Sequence, residues 1–148
     1  MEGIAGALGK QDDVAFYASE SDAFKKRFIR SFFDVRKGYF TDGLAADTDH
    51  ASLHGNMFPL AFDLVPAGKK QNVVDFIQTR GMACSVYGSQ FLMDALYEAN
   101  DAEYALHMLT KTDDRSWYNM IRVGSTISLE AWDNKYKPNQ DWNHAWGA

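Results

Sequence analysis

A chain of 148 residues that is 46% hydrophobic and 14% aromatic can bury one ordinary core, which excludes a disordered tail and fits a single domain. Its net charge of −5 and its dispersed Lys and Arg exclude nucleic acid as a partner, because phosphate backbones are held by clustered basic side chains. No apolar run approaches the ~20 residues of a membrane span, and residues 1–9 lack the positive start and apolar length of a signal peptide, so the sequence reads as soluble and membrane-free.

Residues 1–9 run straight into a helix without a polar lead, and the chain stops as abruptly at Trp146, Gly147 and Ala148, as a piece cut from a larger protein would. Between Asp12 and Val35, the residues Val14, Tyr17, Ser21, Phe24, Phe28 and Phe32 recur at steps of three and four. That spacing predicts a long amphipathic helix capped by Asp12 and stopped before Gly38. Residues 39–43 read as a turn. Residues 52–65 are apolar enough for a buried helix in which Pro59 either makes a kink or lies in the first turn, with Pro66, Ala67 and Gly68 ending it. Further helices are predicted over 69–79, stopped at Arg80 and Gly81, over 87–99, over 101–110 and over 116–121. Only residues 125–129 hint at a strand. The class is therefore all-α, built of antiparallel helical hairpins joined by short loops.

Several residues invite chemistry. The single cysteine, Cys84, has no internal partner and sits among small and apolar residues, which favours a buried thiol over a nucleophile. His50 and His54 are one helical turn apart, a metal-ligand spacing, but Ala51 stands where a zinc-protease helix carries glutamate. No metal or other cofactor is expected. His54 and Asn56 read instead as polar groups at a helix start, facing a pocket or a backbone. All four tryptophans, Trp117, Trp132, Trp142 and Trp146, fall in the last 32 residues with Glu130, Asp133, Asp141 and His144. Aromatic rings pack on the apolar face of a pyranose while carboxylates and imidazole bind hydroxyls or move protons, so the cluster suits sugar chemistry; it equally suits closure of a core where helices end. Glu130 lies between apolar neighbours, where burial would raise its pKa and a cation such as Arg122 or protonated His144 would lower it. Its charge state stays open on this reading.

Five stretches carry a family resemblance: Ala51-Ser-Leu-His-Gly-Asn-Met-Phe-Pro-Leu-Ala-Phe62 with Leu64-Val-Pro66, Gly81-Met-Ala-Cys-Ser-Val-Tyr-Gly-Ser-Gln-Phe91, Arg115-Ser-Trp-Tyr-Asn-Met-Ile121, Gly124-Ser-Thr-Ile-Ser-Leu-Glu-Ala-Trp-Asp133 and Asp141-Trp-Asn-His-Ala-Trp-Gly-Ala148. In order, they resemble the second half of the catalytic domain of bacterial α-L-rhamnosidases of glycoside hydrolase family 78. The resemblance implies that residues 1–148 form part of an (α/α)6 toroid, truncated at both ends, and that the reaction is inverting hydrolysis of terminal α-L-rhamnosyl linkages. It implies Glu130 as the general base and His144 as a contact to the rhamnose ring, with Trp132 and Trp142 as pocket walls. The family's general acid lies upstream of the matched segment; Asp42 and Asp133 are the other aspartates to consider, without motif support. The partners expected are a rhamnose-containing glycoside or oligosaccharide and the remainder of the catalytic domain, or a second copy. Cytoplasm, periplasm and secretion all remain open. The competing reading is a non-catalytic helical scaffold or sugar-binding remnant.

Overall fold

The computed structural model of the chain describes residues 1–44 and 48–142. Within them lie α1 (Glu2–Ala7), α2 (Gln11–Phe32), β1 (Phe33–Asp34), β2 (Tyr39–Phe40), α3 (His54–Ala61), α4 (Lys70–Arg80), α5 (Val86–Glu98), α6 (Ala102–Thr110) and α7 (Trp117–Arg122). The all-α expectation holds, with one small exception. Residues 33–40 form a two-stranded antiparallel hairpin, Phe33 opposite Phe40 and Asp34 opposite Tyr39, where the sequence suggested helix and then turn. Gly38 makes the reversal possible: its φ of 81° is in the left-handed region, and its N–H donates to the Asp34 carbonyl at 2.8 Å. The Asp34 carboxylate accepts the N–H groups of Arg36 and Lys37 across the same turn, at 2.9 and 3.2 Å.

Helix ends follow local chemistry. Ser85, Asp101 and Ser116 cap α5, α6 and α7, each side chain accepting an N–H of the first turn. Asp12 does not cap α2; Lys10 holds that position without a side-chain bond, and Asp12 and Asp13 lie inside the first turn, where acidic groups still favour the helix dipole. α3 is shorter than its apolar run. It keeps Pro59 inside but ends at Ala61, followed by Asp63 at φ 53°, and Leu64 and Val65 belong to the connection.

The core is made chiefly by α3, α4 and α5, with α3 packed most extensively on α5. Met57 and Leu60 of α3, Val73 and Ile77 of α4, and Leu92 and Leu96 of α5 are at most 2% exposed. Ala105 and Met108 of α6 and Met120 of α7 extend this cluster. α2 differs: none of its 22 residues is buried, Phe28, Ile29 and Phe32 only lean on the core, and Phe16 and Phe24 remain more than half exposed. Among the described residues, no helix is long and apolar enough to cross a membrane.

Candidate functional site

The segment carrying Glu130 has no regular structure, so the direction of its carboxylate is set by the anchors on either side. The strand suggested for residues 125–129 does not form. Leu129, fully buried, precedes Glu130, and Trp132, 3% exposed, follows it. The Trp132 indole N–H donates to the Cys84 carbonyl at 2.7 Å, and its ring meets Trp117 edge-on at 5.0 Å. Asn119 Nδ2 donates to the Trp132 carbonyl and to Asp133, each at 2.9 Å, while the Ala131 N–H donates to Gln140 at 2.8 Å. With its neighbours pinned in this way, the half-buried Glu130 faces a cleft of about 600 Å³ rather than the core.

Glu130 is ionised there. Lys137 Nζ donates to Oε1, and the Asp141 N–H reaches Oε2 at 3.4 Å. The Lys137 bond outweighs burial and holds the carboxyl below its usual range. Sequence reasoning named Arg122 as a cation for this role, but Arg122 bonds Asn119 and Asp114 instead. Lys137 was missed because it lies seven residues along an irregular loop, where no helical or strand periodicity predicts a pairing.

The cleft gathers His54 from the start of α3, Tyr87 from the first turn of α5, Arg115 from the α6–α7 connection, and Tyr136. His54 and Asn56 divide the two roles that the sequence left open. His54 faces the cleft, whereas Asn56, fully buried, accepts the Phe40 N–H at 2.8 Å and donates to the Phe40 and Ser52 carbonyls at 3.0 Å. His50 precedes the helix and pairs with Asp42 at 2.6 Å, so the one-turn spacing of a metal pair does not arise. Asp42 also accepts the Ser52 N–H and hydroxyl, and a Cβ on Gly55 would lie 2.5 Å from its Oδ1, so a side chain at 55 would push the Asp42 carboxylate from these bonds. Asp133 accepts the Lys135 N–H at 3.0 Å besides its bond from Asn119. Both aspartates are committed to local structure. Cys84 is buried, and burial pushes its thiol up to about 11, so it is a neutral thiol.

Trp132 lines the cleft, although nearly all of its ring belongs to the core; Trp142 is half exposed and is not part of that lining. The open aromatic rings at the cleft are those of Tyr87 and Tyr136, 40% and 45% exposed. An aromatic side chain opening the solvent face of α5 was the signal available for Tyr87. His144 lies outside the described residues, so its place relative to Glu130 is left to experiment.

The family model described as bacterial alpha-L-rhamnosidase 6 hairpin glycosidase domain matches residues 1–148. Among solved structures, the chain is similar to an alpha-L-rhamnosidase from Dictyoglumus thermophilum, with 22% sequence identity and a TM-score of 0.80. That similarity covers 98% of this chain and 16% of that one, so the chain spans under a fifth of its structural relative. No curated protein matches.

Proposed function

Because the chain belongs to the bacterial alpha-L-rhamnosidase 6 hairpin glycosidase domain family, we propose that it forms part of a catalytic domain that hydrolyses terminal α-L-rhamnosyl linkages with inversion, Glu130 acting as general base. The observation that carries this reading is the Glu130 carboxylate, paired with Lys137 and held at the cleft between the buried Leu129 and Trp132. Lys137 occupies one lone pair of Oε1, and the 3.4 Å bond to Oε2 is weak, leaving acceptor positions for a water hydrogen. Water so held delivers its oxygen to the anomeric carbon as its proton passes to Glu130.

Inversion also needs a carboxylic acid on the opposite side of the sugar, ~6.5–9.5 Å from the base. Glu130 is the one carboxylate among the described residues that line its cleft. The acid is therefore assigned to the remainder of the domain. His144 is proposed to contact the rhamnose ring, Trp132 to wall the cleft and Trp142 to reach the sugar from outside that lining; Tyr87 and Tyr136 add exposed rings for a sugar face.

The test uses the complete enzyme containing this chain. Glu130→Gln keeps the shape but cannot accept a proton, so turnover of an aryl α-L-rhamnoside should fall by roughly two or more orders of magnitude while rhamnose binding survives. Proton NMR of the wild-type reaction should show β-rhamnose first. Near-normal turnover by Glu130→Gln would move the base role to another carboxylate, and an α-first product would exclude inversion. Loss of all activity in the wild type would favour a scaffold.

A further inference from the structure

Beside the Glu130 cleft lies a second hollow of about 470 Å³, and the two share Ala83, Arg115 and Tyr136 as a common wall. Arg80, Lys111, Asp113 and Asp114 complete its charged lining. The acidic groups are already engaged. Asp113 accepts from Lys111 at 2.7 Å and from the Arg115 N–H at 3.0 Å, and Asp114 is held by Lys135 and, at 3.0 Å, by Arg122. The guanidinium groups of Arg80 and Arg115 form no ion pair among the described residues.

Each of these two guanidinium groups is nonetheless held in place. Arg80 Nη2 donates to the Ala51 carbonyl at 2.9 Å, and its central carbon lies 4.8 Å from the Phe76 ring centroid. Arg115 Nη1 donates to the Met82 carbonyl at 3.4 Å and sits 4.8 Å over the Tyr136 ring. A guanidinium stacked on a ring and tethered through one N–H keeps its other donors, and it has less rotamer freedom to lose when an anion arrives. Nothing in the proposed chemistry at Glu130 uses these two charges.

We propose that this hollow is a subsite for a uronic acid, the sugar next to the released rhamnosyl residue, with its carboxylate received by Arg80 and Arg115. The proposal rests on the rhamnosidase reading of the adjoining cleft. A planar carboxylate fits a guanidinium fork. Tyr136, shared by both hollows and half exposed, offers its ring to a sugar at the junction.

Direct binding to the complete enzyme tests this without requiring turnover. Calorimetry with methyl glucuronoside and methyl glucoside should show the uronide binding about tenfold more tightly, the scale of one charge-assisted bidentate contact. That advantage should vanish in Arg80→Gln, a residue of the second hollow alone, while methyl glucoside binding is kept. Because Arg80 also holds Ala51, added salt on the wild type serves as a second measurement and should weaken the uronide but not the glucoside. Equal binding of the two glycosides, or a preference that survives both Arg80→Gln and salt, would overturn the subsite. So would inorganic phosphate binding more tightly than the uronide, which would make the hollow a general oxyanion site. Uronide binding by an enzyme that hydrolyses no rhamnoside would keep the subsite and remove the rhamnosidase reading; the reverse pair of results would do the opposite.

Discussion

A carboxylate that is to take a proton from water must be ionised before the water is attacked. At Glu130 the ammonium of Lys137 secures this, since it favours the charged form more than burial opposes it. The sign follows directly. Removing Lys137 raises the carboxyl's pKa, so the base is protonated, and idle, up to a higher pH. On the proposed mechanism, Lys137→Met should move the acidic limb of the kcat/KM profile of the complete enzyme to higher pH, while Lys137→Arg keeps it in place. A profile unmoved by Lys137→Met would show that the lysine does not act on the base in the working enzyme. Asn56 affords a contrasting case of a polar residue whose work is wholly internal. It satisfies both backbone groups of Phe40 from a fully buried position, so Asn56→Ala should lower stability by about 1–3 kcal/mol through the unmet donor and acceptor left behind. Urea unfolding measures that loss.

Among the elements, the ones with matching signals in period and cap were legible in the sequence. α4, α5, α6 and α7 fall within about two residues of their expected bounds, the usual scatter of helix ends, because each has an apolar stripe and three of them a Ser or Asp cap. The hairpin at 33–40 was not legible. Its two-residue strands are too short to alternate, and the aromatic residues Phe32, Phe33, Tyr39 and Phe40 fit either a helix or a sheet. The Glu130 carboxylate was legible from its motif, but Lys137, Arg115 and Tyr136 were not, because they reach the cleft from loops whose path is set by tertiary contacts. Those contacts make α7 important beyond its six residues. Ser116 caps it through the Asn119 N–H at 3.0 Å and donates to the Asp113 carbonyl, and Asn119 in turn holds the Trp132 carbonyl. Ser116→Ala should therefore cost about 1–2 kcal/mol, as cap losses do, and should also loosen Glu130. A fall in kcat/KM larger than the fall in folded population would reveal that second effect; a change in stability alone would confine Ser116 to capping.

On the scale of the whole molecule, large apolar side chains are exposed along the whole chain, those of α1 and α2 among them. Ile4, Leu8, Phe16 and Phe24 of the α1–α2 region are each more than half exposed, and no residue of α2 is buried, so this region has apolar surface left for a partner. The 148-residue chain on its own should therefore associate in a concentration-dependent way, and Phe16→Ser with Phe24→Ser should reduce the apparent mass in sedimentation. A strictly monomeric wild-type chain at all concentrations would count against that expectation.

Both hollows take their residues from one end of the helices. His54 and Ser85 stand at helix starts, Arg80 and Lys111 at helix finishes, and the segment after Leu129 lies across them. The connections at 62–69, 99–101 and 123–124 contribute to neither. The lining of both hollows thus comes largely from loops at one end of the helices, and Met82, Cys84 and Trp132 in that lining are also part of the core. The lining could therefore be varied at its exposed side chains, such as Arg80, Asp113, Tyr87 and Tyr136, with the buried ones kept as they are. A protein engineer could graft a tag or a tether into the turn at 66–68 without approaching either hollow.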